Sequence, residues 1–127
     1  MFVYIYEDSY QYNSERPAIE KEVSRVEVFD DRIEGYDYEG YKHVWNNFFA
    51  LTYQNEYLYD LRKTEVYLYE TAKAYNKGRP EVVVEVVDIQ INNKFITLRN
   101  DYTHIINANR ILAAVYNEQQ HLRKGNI

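Results

Sequence analysis

Carboxylates, imidazoles, hydroxyls and phenols are the groups in this sequence that could do chemistry, and their spacing narrows what that chemistry is. The three histidines, His43, His104 and His121, stand far apart and form no HxH, HxxxH or HExxH pattern, so the paired imidazoles of a zinc site are missing. The run DDRIEGYDYEG from Asp30 superficially resembles an acidic calcium loop. It lacks the alternating D-x-D-x-D-G order and a final Glu at the right spacing. Ser9, Ser14 and Ser24 sit in no nucleophile elbow, and the four glycines form no phosphate-cradling loop. Cysteine is absent, which removes disulfides, thiolate catalysis and cysteine-type zinc sites. The sequence therefore predicts a protein that is not an enzyme, with no catalytic residue, metal or cofactor.

What remains is charge and tyrosine. In Arg32 to Trp45, RIEGYDYEGYKHVW, three tyrosines are interleaved with three acids and punctuated by Gly35 and Gly40. Residues 27–40 hold six acids against Arg32 and sum to −5, the net charge of the whole chain. Such a segment repels phosphates and attracts basic surfaces. Tyrosine, with 15 copies, offers an apolar body and a polar tip that suit interfaces and half-buried sheets alike. The candidate partner-binding residues are Asp30, Asp31, Glu34, Tyr36, Asp37, Tyr38, Glu39 and Tyr41. Strict alternation puts Glu34, Tyr36 and Tyr38 on one face and Ile33, Gly35, Asp37 and Glu39 on the other, unless Gly35 marks a bulge. A solvated hairpin is the plainer reading of the same residues.

A second charge asymmetry has the opposite sign. Arg62, Lys63, Lys73, Lys77 and Arg79 face only Glu65 and Glu70 between positions 61 and 80, a local +3. Beside stacking tyrosines these residues are the alternative candidates for binding single-stranded nucleic acid or a nucleotide. No RNP-type signature accompanies them. A solvated helix face explains the same cluster without a ligand.

These groups need elements to position them. FVYIYE (2–7) reads as a first strand, SYQYNSERP as a polar loop, and 18–21 as at most a helical turn. Residues 25–45 read as a three-strand meander with turns at Asp30-Asp31 and Glu39-Gly40. Residues 48–61 fit helix or strand. From Thr64 a middle helix is expected, capped by Thr64 and ended by Gly78 and Pro80. EVVVEVVDIQI (81–91) reads as a central strand, followed by an Asn92-Asn93 type I′ turn, the strand KFITLR and a turn at Asn100-Asp101. Residues 107–124 read as a C-terminal helix. The expected fold is a single α+β domain over 1–127, a mostly antiparallel sheet with a middle and a C-terminal helix packed on it.

At 127 residues, 46% of them hydrophobic, the chain is long enough for one core. No apolar run approaches the ~20 residues that span a bilayer, and MFVYIYEDSY lacks the marks of a signal peptide. A cytoplasmic location without membrane contact is expected. The leading expectation is a binding module that engages a basic, possibly nucleic-acid-binding, protein. Its profile of small size, acidity and no cysteine resembles that of phage and mobile-element inhibitors of host defence, anti-CRISPR proteins among them, although no motif assigns a family. Nucleic-acid binding is the second expectation, and a homo-oligomer built on a tyrosine-rich sheet face the third.

Overall fold

The computed structural model describes residues 1–55 and 63–118. In chain order the strands are β1 (Phe2–Tyr6), β2 (Ile19–Glu22), β3 (Arg25–Val28), β4 (Ile33–Tyr36), β5 (Lys42–Trp45), β6 (Ala50–Gln54), β7 (Thr64–Tyr69), β8 (Val82–Val86), β9 (Asp88–Ile91), β10 (Phe95–Arg99), β11 (Tyr102–Asn107) and β12 (Ala113–Tyr116). Among the described residues the helical elements are short: α1 (Ser9–Asn13), α2 (Ala72–Lys77) and one 3-10 turn at Ala108–Arg110. The strands form three antiparallel sheets, a large one in the order β2-β1-β6-β11-β10-β9 and two small ones, β12-β7-β8 and β3-β4-β5.

Alternation along the strands builds two cores, one on each face of the large sheet. Val3, Ile5, Leu51, Phe95 and Ile105 point one way and pack with Val23, Ile33 and Phe48 beneath the β3-β4-β5 meander. Tyr6, Ala50, Ile96, Leu98 and Ile106 point the other way, against Val66, Leu68, Val82, Val84 and Val86 of the second small sheet. The large sheet is thus covered on both sides. Each fully buried Leu, Ile or Phe contributes about 1.5–3 kcal/mol in this arrangement.

The expected α+β fold is therefore corrected to a mostly antiparallel β-fold. The middle helix is absent from Thr64 to Tyr69: TEVYLY alternates Thr64, Val66 and Leu68 inward as β7. Helix begins only at Ala72, capped by Thr71, whose hydroxyl accepts from the Ala74 N–H at 3.1 Å, and Gly78 ends it at φ +65°. The C-terminal helix is likewise overturned within the described residues. Ala113–Tyr116 pairs with β7, and Leu112 N–H donates to Tyr69 O at 2.7 Å. The edge of β7 offers a row of backbone groups for pairing, and pairing with it outweighs the loose helical spacing of Ala108, Ile111, Leu112 and Val115. Residues 119–124 of that expected helix lie outside the described residues.

Smaller corrections have equally local causes. The valine-rich run is not one central strand. It breaks at Val87, whose N–H donates to Arg99 O, and passes from the small sheet (β8) to the edge of the large one (β9), with Val83 49% exposed. The Asn92-Asn93 turn is not type I′, because neither residue has positive φ. Asn92 N–H bonds to Phe95 O within the hairpin, and contacts from outside add Lys94 N–H to Asp30 O and Ala108 N–H to Lys94 O. The 18–21 turn is the start of β2, and the polar loop after β1 contains α1. Of the ambiguous 48–61 stretch, Ala50–Gln54 is strand, and residues 56–61 lie outside the described set. Among the described residues, no helix is long and apolar enough to cross a membrane.

Candidate functional site

The meander holds the eight candidate partner-binding residues but does not join them into one acidic face. Glu34 is 5% exposed, although it points away from the core. Arg32 Nε donates to it at 2.9 Å, Tyr36 Oη at 2.9 Å, and Lys42 Nζ stands 3.6 Å away. The Arg32 guanidinium, followed by the Tyr36 hydroxyl, holds this carboxyl below its usual range. Asp37 is also folded inward. It accepts from His43 Nε2 at 2.9 Å and from the backbone N–H groups of Glu39 and Tyr41, and these bonds lower its carboxyl too. Asp30 and Asp31 are exposed at one end of β4. Tyr38, Glu39 and Tyr41 are exposed at the other, where Gly40 at φ +92° makes the turn. The four residues of β4 separate the two groups by roughly 13 Å. Between them the outer face carries Arg25, Arg32 and Lys42, with the Arg25 guanidinium 4.0 Å from the Tyr36 ring centre.

The basic candidates are divided as well. Lys73 and Lys77 lie on α2 with Arg79 just beyond it, all exposed. Lys63 precedes β7, whose six residues put it roughly 20 Å from α2, and it pairs with Glu85 at 3.6 Å. Arg62 lies outside the described residues.

A concave surface lies elsewhere, on the face of the large sheet that β7 and β8 cover in part. Register places Glu20 opposite Tyr4, Tyr4 opposite Thr52 and Thr52 opposite His104. Four side chains thus form a row across four strands, about 14 Å long. They floor a cleft of about 850 Å³, to which Tyr6 and Tyr102 add two further rings. One wall is α1 with the turn after it, contributing Tyr12, Asn13, Glu15 and Pro17; the other is β8 with Lys63.

Local sequence explains how α1 comes to form a wall. Asp8 caps it, accepting from Gln11 N–H at 2.8 Å, while Gln11 Oε1 reaches back to Glu7 N–H at 2.8 Å, a displaced form of the capping box. Ser9 bonds to Glu70 and Asn13 Nδ2 to Glu81 O, which fasten the helix to the small sheet. Past its end, Arg16 N–H bonds to Gln11 O and Glu15 N–H to Tyr12 O, the two bonds of a Schellman motif. The left-handed position of that motif, at φ +55°, is filled by Glu15 rather than by glycine.

A buried network at the cleft floor limits its chemistry. Asn100 Oδ1 accepts from Tyr102 N–H while its Nδ2 donates to Glu85 O, which fixes the amide. His104 Nε2, 3.0 Å from that oxygen, must be the N–H. Nδ1 is then the acceptor for the Tyr12 hydroxyl at 2.7 Å. Burial lowers the His104 pKa to about 4 and raises that of Tyr12. With both nitrogens occupied, this imidazole has no free lone pair for a metal and no proton to give near neutrality. His104 is thus a satisfied, partly buried group. Among the described residues, no three His, Asp or Glu side chains gather as a metal site.

Apart from Lys63, none of the cleft-lining residues is among the binding candidates read from the sequence. The alternation FVYIY does place Tyr4 and Tyr6 on one face, and D-x-x-Q at Asp8 signals α1. Neither tells which strands lie beside them. No protein-family model, curated protein or solved structure matches the chain.

Proposed function

We propose that the protein is a non-enzymatic binding module for a basic protein, and that the cleft receives cationic side chains of that partner. One observation carries this reading. The cleft combines tyrosine rings with four carboxylates, Glu15, Glu20, Glu85 and Asp101, against a single lysine that is already paired with Glu85. Rings and carboxylates together favour cations, and a phosphate-bearing ligand would meet repulsion there. The exposed Tyr38, Glu39 and Tyr41 at the meander tip extend the same preference over a second surface.

Small size, acidity and the lack of cysteine support the narrower reading of an inhibitor of phage or mobile-element origin, anti-CRISPR-like in profile. Such a protein would act in the reducing cytoplasm on a protein that otherwise holds nucleic acid. The separation of Lys63 from Lys73, Lys77 and Arg79 weighs against nucleic-acid binding by this chain itself.

Fluorescence anisotropy at low salt tests the module. A labelled arginine-rich peptide should bind, with affinity falling as salt rises, and a labelled single-stranded oligonucleotide should not. Binding of the oligonucleotide but not the peptide would reverse the assignment.

A further inference from the structure

We propose that the cleft is a receptor for a guanidinium group, the head of an arginine side chain, and that Glu15 is its principal carboxylate. This rests on the binding-module reading and specifies which cation the site takes. Tyr4 and Tyr102 are partly exposed on the cleft floor and rim, and so offer ring surface to a cation. Glu15 and Asp101 are exposed at its margin and Glu20 at the outer, edge-strand end of its floor, and none makes an ion pair with a described residue. Their carboxylate oxygens can accept the N–H groups of a planar guanidinium while its face lies on a ring, a combination that an ammonium point charge uses less well.

The molecule already employs this chemistry within itself. Arg25 lies over Tyr36 at 4.0 Å, and Arg32 lies over Phe29 at 4.4 Å while donating to Asp31 and Glu34. The cleft offers the same two kinds of partner, ring and carboxylate, with no guanidinium of the described chain lining it.

Glu15 is also set apart by its backbone. Its backbone takes a left-handed conformation that glycine adopts without strain and an L-residue does not. Here the chain places a carboxylate at the cleft mouth in the position where glycine would hold the turn more cheaply. Residues kept in such conformations are commonly ones whose side chain is needed there. Glu15→Gly should therefore stabilise the fold and weaken the ligand, two effects of opposite sign.

Isothermal titration calorimetry with methylguanidinium, tetramethylammonium and an arginine-containing peptide tests the assignment. Methylguanidinium should bind, tetramethylammonium about fivefold more weakly, and the peptide should compete with methylguanidinium. Glu15→Gly and Glu15→Gln should each weaken both guanidinium ligands about fivefold, while Glu15→Gly raises the melting temperature by about 3 °C. Tyr102→Ala, at a position 40% exposed, should weaken them without unfolding the chain. If the peptide binds and methylguanidinium neither binds nor competes, the receptor is wrong while the module stands. If no basic ligand binds, both fall. Equal affinity for tetramethylammonium would overturn the guanidinium assignment, as would binding that Glu15→Gln leaves unchanged. A free guanidinium compound as the natural ligand, rather than an arginine side chain, would show as tighter binding of methylguanidinium than of the peptide, and that result would overturn the arginine assignment.

Discussion

His104 shows how much one buried ring constrains the cleft. Its folded pKa of about 4 lies below the 6.5 of a free imidazole, so the folded state resists a proton that the unfolded chain accepts. The sign follows directly: this group costs nothing above pH 6.5, and stability falls as pH drops from 6.5 towards 4, by on the order of 3 kcal/mol in all. Denaturant unfolding of the native protein and of His104→Gln at pH 7 and 4.5 measures the difference. The native protein should lose more stability than the variant over that interval; equal losses would mean that the ring is not held neutral. Glu34 and Asp37 contribute in a different window. Their lowered pKa values add stability that is present above the ordinary carboxylate range and lost as pH falls through their folded values. Spacing reveals only the most local of these partnerships. Glu34 meets Arg32 two positions away, which local sequence allows, but His104 meets Tyr12 across 92 positions.

The meander was the most legible element, because its turns are local. The N–H of Phe29 bonds to Arg32 O across Asp30-Asp31, and the N–H of Asp37 to Tyr41 O across Glu39-Gly40. The sequence left open whether Gly35 marks a bulge. Pairing runs unbroken through Gly35 on both sides, and the Trp45 ring lies where a Cβ would stand, so close approach is the reason for glycine. Gly35→Ala should destabilise the fold by about 1–3 kcal/mol, and Trp45→Leu in the same chain should recover part of that loss. A denaturant midpoint unchanged by Gly35→Ala would show that the ring yields freely. The elements misread as helix failed for a common reason. Apolar residues at 66, 68 and 69, and at 111, 112 and 115, satisfy a helical period loosely. What decides their state is a neighbouring strand edge far away in sequence.

At the scale of the molecule, the sequence located the charge correctly but not its consequence. All of the net −5 falls within residues 27–40, yet Glu34 and Asp37 are consumed in the meander, Glu27 lies on β3 paired with Arg25, and Asp30, Asp31 and Glu39 stand at opposite ends of β4. The concave surface arises instead from β1, β2, β6, β8, β11 and α1, drawn from most of the described length and invisible to any local window. Two surfaces are therefore candidates for the proposed basic partner, the cleft and the meander tip. NMR chemical-shift mapping with an arginine-containing peptide distinguishes them most directly. The account predicts that resonances of Tyr4, Glu15, Glu20, Asp101 and Tyr102 move in a saturable way while those of Tyr38, Glu39 and Tyr41 move little. Saturable shifts confined to the meander, with the cleft silent, would contradict it.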